Sequence, residues 1–227
     1  MSVGIFGVDA VRASVLTIDL HRGHLDLNVA TLPLQAAPAA RVTAANVDFL
    51  RRARERGVPV VHMVTTYRDL SEIHSNPFWR AIDATSATRA EMREHNLLGS
   101  PGTELMPGIL EPGDRIVSTK KRYDCFLGTD LDFVLKSMGV NTLLITGVNT
   151  NSCVLATTIT ASTRDYACVV VSDCVDTMDG EKFHDMALEC VGRAFGWVMS
   201  SAEALAAVQR PAAFAGGLSF GRRLEQP

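Results

Sequence analysis

The sequence predicts an α/β domain with a doubly wound, six-stranded, mainly parallel sheet and helices on both faces, a three-layer arrangement. Two observations lead there. Short β-type runs alternate with segments of helical periodicity along most of the chain. Three of those runs also end in a reactive group: 14–18 closes on Asp19, 115–119 closes on Lys120, and the run ending Gly147-Val148 leads through Asn149-Thr150-Asn151-Ser152 to Cys153. In open parallel sheets, ligands bind in the crevice beyond the carboxyl ends of the strands, so topology alone brings an acid, a base and a thiol towards one pocket.

The elements follow in order. After the run at 14–18, the apolar positions Val42, Ala45, Phe49, Leu50 and Ala53 recur at helical spacing, and Gly57-Val58-Pro59 supplies the stop. A second strand is expected over 58–64. With the first it forms a βαβ unit, which handedness makes a right-handed parallel crossover. From 65 to 113 runs a long insertion holding Asn76-Pro77-Phe78-Trp79-Arg80 and several Gly and Pro turn residues. Loops of that length are usually functional, and this one is expected to wall the crevice, with a short helix near 78–82.

The pattern then repeats. After the strand at 115–119, Thr129 caps a helix with Asp132 three residues on and a stripe of Leu131, Val134, Leu135 and Met138, ending at Gly139. Strands at 142–148 and 167–172 flank a helix from 153 to about 165. A helix over 181–193, a short strand around 195–199 and a last helix over 201–208, boxed by Ser200 and Glu203, complete one domain spanning 1–211. Residues 212–227 have little apolar pattern and are expected to be a tail or arm.

Composition excludes several classes. The 227 residues carry 21% charged side chains and a net charge of −3, with no polybasic tract, so no nucleic-acid partner is expected. No apolar stretch approaches the roughly 18 residues of a membrane span, so no membrane partner is expected either. The N-terminus lacks a signal-peptide pattern, which favours a cytoplasmic location. The five cysteines form no CxxC pair, and their odd number argues against a disulfide framework. Cys168 and Cys190 read as buried hydrophobes. No GxGxxG follows the first run, which weakens a dinucleotide site.

Cys153 has chemical company. A thiol at a strand-to-helix junction meets the positive end of a helix, which favours thiolate. Asp19 can take the thiol proton and return it to a leaving amine, while Lys120 favours both anions. First-turn amides at 149–153 suit a tetrahedral oxyanion.

The segments Ser14-Val15-Leu16-Thr17-Ile18-Asp19, Lys120-Lys121-Arg122-Tyr123-Asp124-Cys125-Phe126 and Thr146-Gly147-Val148-Asn149-Thr150-Asn151-Ser152-Cys153-Val154 closely resemble the isochorismatase-like cysteine hydrolases. That superfamily has a Rossmann-like fold and includes nicotinamidases, N-carbamoylsarcosine amidase, ureidoacrylate and biuret amidohydrolases, and isochorismatases. The resemblance implies Asp19 as general acid/base, Lys120 rather than Lys121 as its charged partner, and Cys153 as nucleophile. It also implies a cis peptide between Val148 and Asn149 and an oxyanion hole of the Asn149 and Cys153 amides. A small-molecule amide substrate and a homo-oligomer, dimer or tetramer, follow by the same likeness, with Phe214, Leu218 and Phe220 available to an exchanging arm.

Two departures bear on substrate. Family members often carry glutamine two residues after the aspartate and phenylalanine five after it; this chain has His21 and His24. Either histidine contacts substrate or packs in the loop wall. Phe78 and Trp79 are further substrate-contact candidates, Trp79 equally suited to packing under a loop. Nicotinamidases carry an Asp-x-His metal motif after the second strand, where this chain reads Thr65-Thr66-Tyr67-Arg68-Asp69, so no metal and no cofactor are expected. Isochorismatases proper generally lack the cysteine, and its presence here favours C–N hydrolysis through a thioester. The rivals are ether hydrolysis of the isochorismatase type and a catalytically idle binding protein.

Overall fold

The structure, a computed structural model, describes residues 5–83, 85 and 90–208, so the tail 212–227 lies outside the described residues. Among those described, six strands form one sheet: β1 (Ala13–Ile18), β2 (Val60–Thr65), β3 (Arg115–Lys120), β4 (Thr142–Val148), β5 (Ala167–Asp176) and β6 (Trp197–Met199). Their order is β3-β2-β1-β4-β5-β6 and every neighbouring pair is parallel. The chain order reverses between β1 and β4, which opens the crevice at their carboxyl ends.

Eight α-helices lie around it: α1 (Arg22–Leu25), α2 (Ala36–Glu55), α3 (Leu70–His74), α4 (Pro77–Asp83), α5 (Leu131–Ser137), α6 (Leu155–Ser162), α7 (Glu181–Ala194) and α8 (Ser201–Ala207), counted among the described residues. Alternation along the strands sends Val15 to one face, where Phe49 and Leu50 of α2 and Leu205 of α8 pack. Leu16 and Ile18 point the other way, onto Leu131 and Leu135 of α5, Ala161 of α6 and Val191 of α7. No helix among the described residues is long and apolar enough to cross a membrane.

Local signals act as the sequence suggests. Gly57, at φ 74, ends α2 with its amide donating to the Arg54 carbonyl. Ser200 and Glu203 form the reciprocal capping box of α8. Three expectations need adjustment. The helix expected from Cys153 begins instead with a π turn, Thr150–Val154, and β5 runs on to Asp176. Cys190 is exposed, because the buried stripe of α7 follows Ala187 and Val191 and position 190 falls beside it.

The insertion is built rather than loose. Besides α3 and α4 it has short 3₁₀ turns at Ala90–Glu94 and Pro101–Thr103, and Asp69 caps α3 by accepting from the Ser71 and Glu72 amides. Trp79, Ile73, Tyr67, Met92 and Leu32 give it a small core of its own. A bridge from Tyr67 to Leu97 closes it on itself, and one from Leu105 to His21 ties it down.

At the switch point one glycine is decisive. Gly147 pairs with Ile18 at φ 109, and a Cβ there would fall 2.0 Å from the Ile18 carbonyl oxygen. Gly147→Ala therefore forces β1 and β4 apart in addition to the left-handed penalty, and we expect a loss of more than about 2 kcal/mol of stability. Gly139, at φ 66 with open space around it, is the control: Gly139→Ala bears the backbone penalty alone. Urea midpoints in which Gly147→Ala falls no further than Gly139→Ala would contradict this account.

Candidate active site

Three strand ends and the turn after a fourth meet in the crevice. Asp19 follows β1 at φ 53, a left-handed conformation that aspartate tolerates better than most residues. Its Oδ1 accepts from the Thr65 amide at 2.9 Å and the Thr65 hydroxyl at 2.8 Å, both at the end of β2. Its Oδ2 accepts from Lys120 Nζ at 2.5 Å. Lys120 ends β3, two strands from β1, so its side chain has roughly 10 Å of sheet to cross. It passes over Thr65, donating to Oγ1 at 2.6 Å, and its third contact is Cys153 Sγ at 3.4 Å. Lys121 takes no part: its ammonium donates to the Thr66 carbonyl and pairs with Glu72 at 3.3 Å.

Cys153 lies in the π turn that leads from β4 into α6. The Val148–Asn149 peptide before it is cis. Asn149 is held at both ends, its carbonyl accepting from the Ser152 and Val154 amides at 3.1 Å and its side-chain oxygen from the Met178 amide at 2.8 Å.

The electrostatics describe an ion pair beside a protonated thiol. Burial alone would raise the Asp19 carboxyl, yet Lys120, aided by His21, holds it well below the usual carboxylate range. Lys120 is raised in turn: burial opposes its charge, but Asp19 and Cys153 outweigh that. Burial pushes the Cys153 thiol up to about 11, Lys120 only partly offsetting it while the Asp19 carboxylate adds to the rise. This corrects the expected resting thiolate. Burial outweighs the helix end, and the thiol keeps its proton.

The cavity at this point is small, about 30 Å³, enclosed by Asp19, Lys120 and Cys153 on one side and by Tyr67, Trp79 and Tyr123 on another. His24 and His95 form a third wall. A larger cleft of about 620 Å³ between Leu98, Leu110 and Ile116 touches none of the three reactive groups, so size does not mark the site here. Of the sequence candidates, His24 and Trp79 line the small cavity. His21 sits behind Asp19, its Nε2 3.5 Å from Oδ1 and within reach of Asn96 Nδ2 at 2.8 Å. Phe78 is 65% exposed and does not reach the cavity, because α4 turns Trp79 inward and its neighbour out.

Thr65, His95 and Tyr123 were not singled out from sequence. Thr65 obeys the strand-end rule that finds Asp19 and Lys120. His95 comes from an insertion with no motif. His21, His24 and His95 also form a buried trio whose ligand atoms lie within 4.8 Å of one another. Such a trio could hold a metal ion, and the Asp19 carboxylate favours positive charge at His24 and His95 more than Lys120 opposes it.

Two outcomes follow. Iodoacetamide should modify Cys153 slowly near neutral pH, with a rate rising about tenfold per pH unit from 7 to 10, while exposed Cys190 reacts first; peptide mapping that shows a neutral plateau for Cys153 would refute the protonated resting state. Burial also drives His24 down to about 3 and His95 well below the ordinary histidine value. Below about pH 6.5 the unfolded chain binds protons that the folded one does not, so stability falls with acidification. Each histidine adds up to about 1.4 kcal/mol per pH unit between pH 6 and 4.5. Urea titrations should show a shallower slope for His24→Gln.

Comparison with known proteins bears on the family and the fold. The family model of the isochorismatase domain matches residues 13–203. A ureidoacrylate amidohydrolase, RutB, from Methylobacterium radiotolerans is 32% identical over 154 residues, 64% of this chain and 59% of that protein, so the matched stretch spans little more than half of it. RutB from Caulobacter vibrioides is 28% identical over 209 residues, 86% of this chain and 91% of that one. Among solved structures, a cysteine hydrolase from Pseudomonas syringae superposes with a TM-score of 0.73 at 22% identity, covering 91% of this chain and 97% of that one. N-carbamoylsarcosine amidase from Thermoplasma acidophilum gives 0.66 at 23%, covering 84% and 97%. With the family model spanning β1 to α8, and Asp19, Lys120 and Cys153 meeting at the switch point, the chain belongs to the isochorismatase family.

Proposed function

We propose that the protein is a cysteine amidohydrolase that cleaves a C–N bond of a small amide, ureido or lactam-like compound through a thioester. The observation that carries this reading is the shared contact of one ammonium with a carboxylate and a thiol: Lys120 Nζ is 2.5 Å from Asp19 Oδ2 and 3.4 Å from Cys153 Sγ. As the substrate carbonyl approaches, Asp19 takes the thiol proton while sulfur attacks the carbonyl carbon. Because the thiol holds its proton to about 11, transfer and attack occur together, with Lys120 stabilising the charge on sulfur. The oxyanion is met by the amides of Asn149 and Cys153. Collapse breaks the C–N bond, and the leaving nitrogen takes the proton from Asp19. Water then gives a proton to Asp19 and attacks the thioester, releasing the acid and restoring the thiol.

Thr65 belongs to this scheme as a positioning residue, since its hydroxyl accepts from Lys120 and donates to Asp19. The RutB relatives point to ureides among the compounds to try first.

An ammonia-release screen over carbamoyl amino acids, ureidoacrylate, biuret, maleamate, nicotinamide and cyclic lactams tests the reading. Cys153→Ala should lower turnover of the best substrate by at least about 10³-fold, and Asp19→Asn by about 10²-fold or more, with circular dichroism unchanged. Full turnover by Cys153→Ala would end the thioester mechanism. Thr65→Val should lower kcat while leaving KM within about threefold, because it loosens the ion pair and not the substrate contacts.

A further inference from the structure

The imidazole wall of the cavity has a fixed polarity at one position. His24 Nδ1 lies 2.7 Å from the Leu32 carbonyl oxygen. A carbonyl can only accept, so Nδ1 carries the proton and Nε2 is left as a bare acceptor. The loop cannot easily release this arrangement: the Leu32 amide donates to Gly23 O at 3.4 Å and the Leu34 amide to His24 O at 3.0 Å, so backbone pairs on both sides of the ring contact hold it. His95 lacks that constraint, because its Nδ1 faces the Thr31 hydroxyl at 2.9 Å, which donates or accepts equally well. His21 does not line the cavity at all.

We propose that His24 determines specificity at this site, its Nε2 accepting a hydrogen bond from a substrate N–H, so that primary and secondary amides and ureides are selected over N,N-dialkyl amides and esters. This rests on the amidohydrolase reading for what the pocket holds. The chemistry is selective because His24 is 4% exposed, stacks on His21 with ring centres 4.9 Å apart and meets His95 at a tilt with ring centres 4.7 Å apart. A ligand without an N–H would displace whatever solvent meets Nε2 and leave a buried acceptor unpaired, a cost that phenylalanine at this position would not impose. Burial keeps the ring uncharged, so the acceptor persists across the neutral range.

The test needs no turnover. In Cys153→Ala protein, long-range ¹H–¹⁵N spectra of the histidine rings should show His24 protonated at Nδ1 only. Adding propionamide should move the His24 Nε2 resonance, and propionamide should bind at least about tenfold more tightly than N,N-dimethylpropionamide. His24→Phe should abolish that preference, and His24→Gln, which keeps an acceptor, should retain it. A proton on His24 Nε2, an unmoved Nε2 resonance with propionamide, or a preference that survives in His24→Phe would each overturn the proposal. Its failure is separable from that of the amidohydrolase reading: ammonia release with no response at His24 removes only the role of the ring, whereas a response at His24 with no hydrolysis of any amide leaves a binding pocket without the chemistry.

Discussion

The whole arrangement depends on taking one ammonium and one carboxylate out of water together. Isolated, either charge would cost several kcal/mol to bury; paired at 2.5 Å, with Thr65 bonded to both, each is the condition for the other. That pairing sets demands on the scaffold. Lys120 must end β3, Thr65 must end β2 and Asp19 must end β1, at one height along three adjacent strands. A slip of one residue in any register would turn a polar end group to the opposite face and strand its partner.

The same dry setting explains the state of the thiol. A helix end and a nearby lysine both lower the pKa of a cysteine, and the sequence reading rested on those two effects. In the folded chain burial outweighs them and the Asp19 carboxylate adds to it, so sulfur holds its proton. On the proposed chemistry, reactivity in such a pocket comes from a neighbouring base and from a cation that follows the charge as it forms, with no stored negative charge on sulfur.

Much of the fold was legible because its signals are local. The stripe of α2, the glycine after it and the capping box of α8 are all patterns of a few residues, and the strand-end groups follow from topology once the alternation of elements is seen. Lys120 over Lys121 was separable only by likeness to known motifs, and the geometry gives the physical reason, since Lys121 is turned to Thr66 and Glu72. What was not legible arises across long separations. His95 meets His24 through an insertion whose path no periodicity encodes, and Phe78 and Trp79 exchange importance because a single helical step decides which ring faces inward.

The chamber of about 30 Å³ has room for little more than a solvent molecule or two. Even a small amide exceeds that volume, so on the proposed chemistry the walls around Cys153 must part before a substrate enters, and between turnovers the same enclosure keeps bulk solvent from the sulfur.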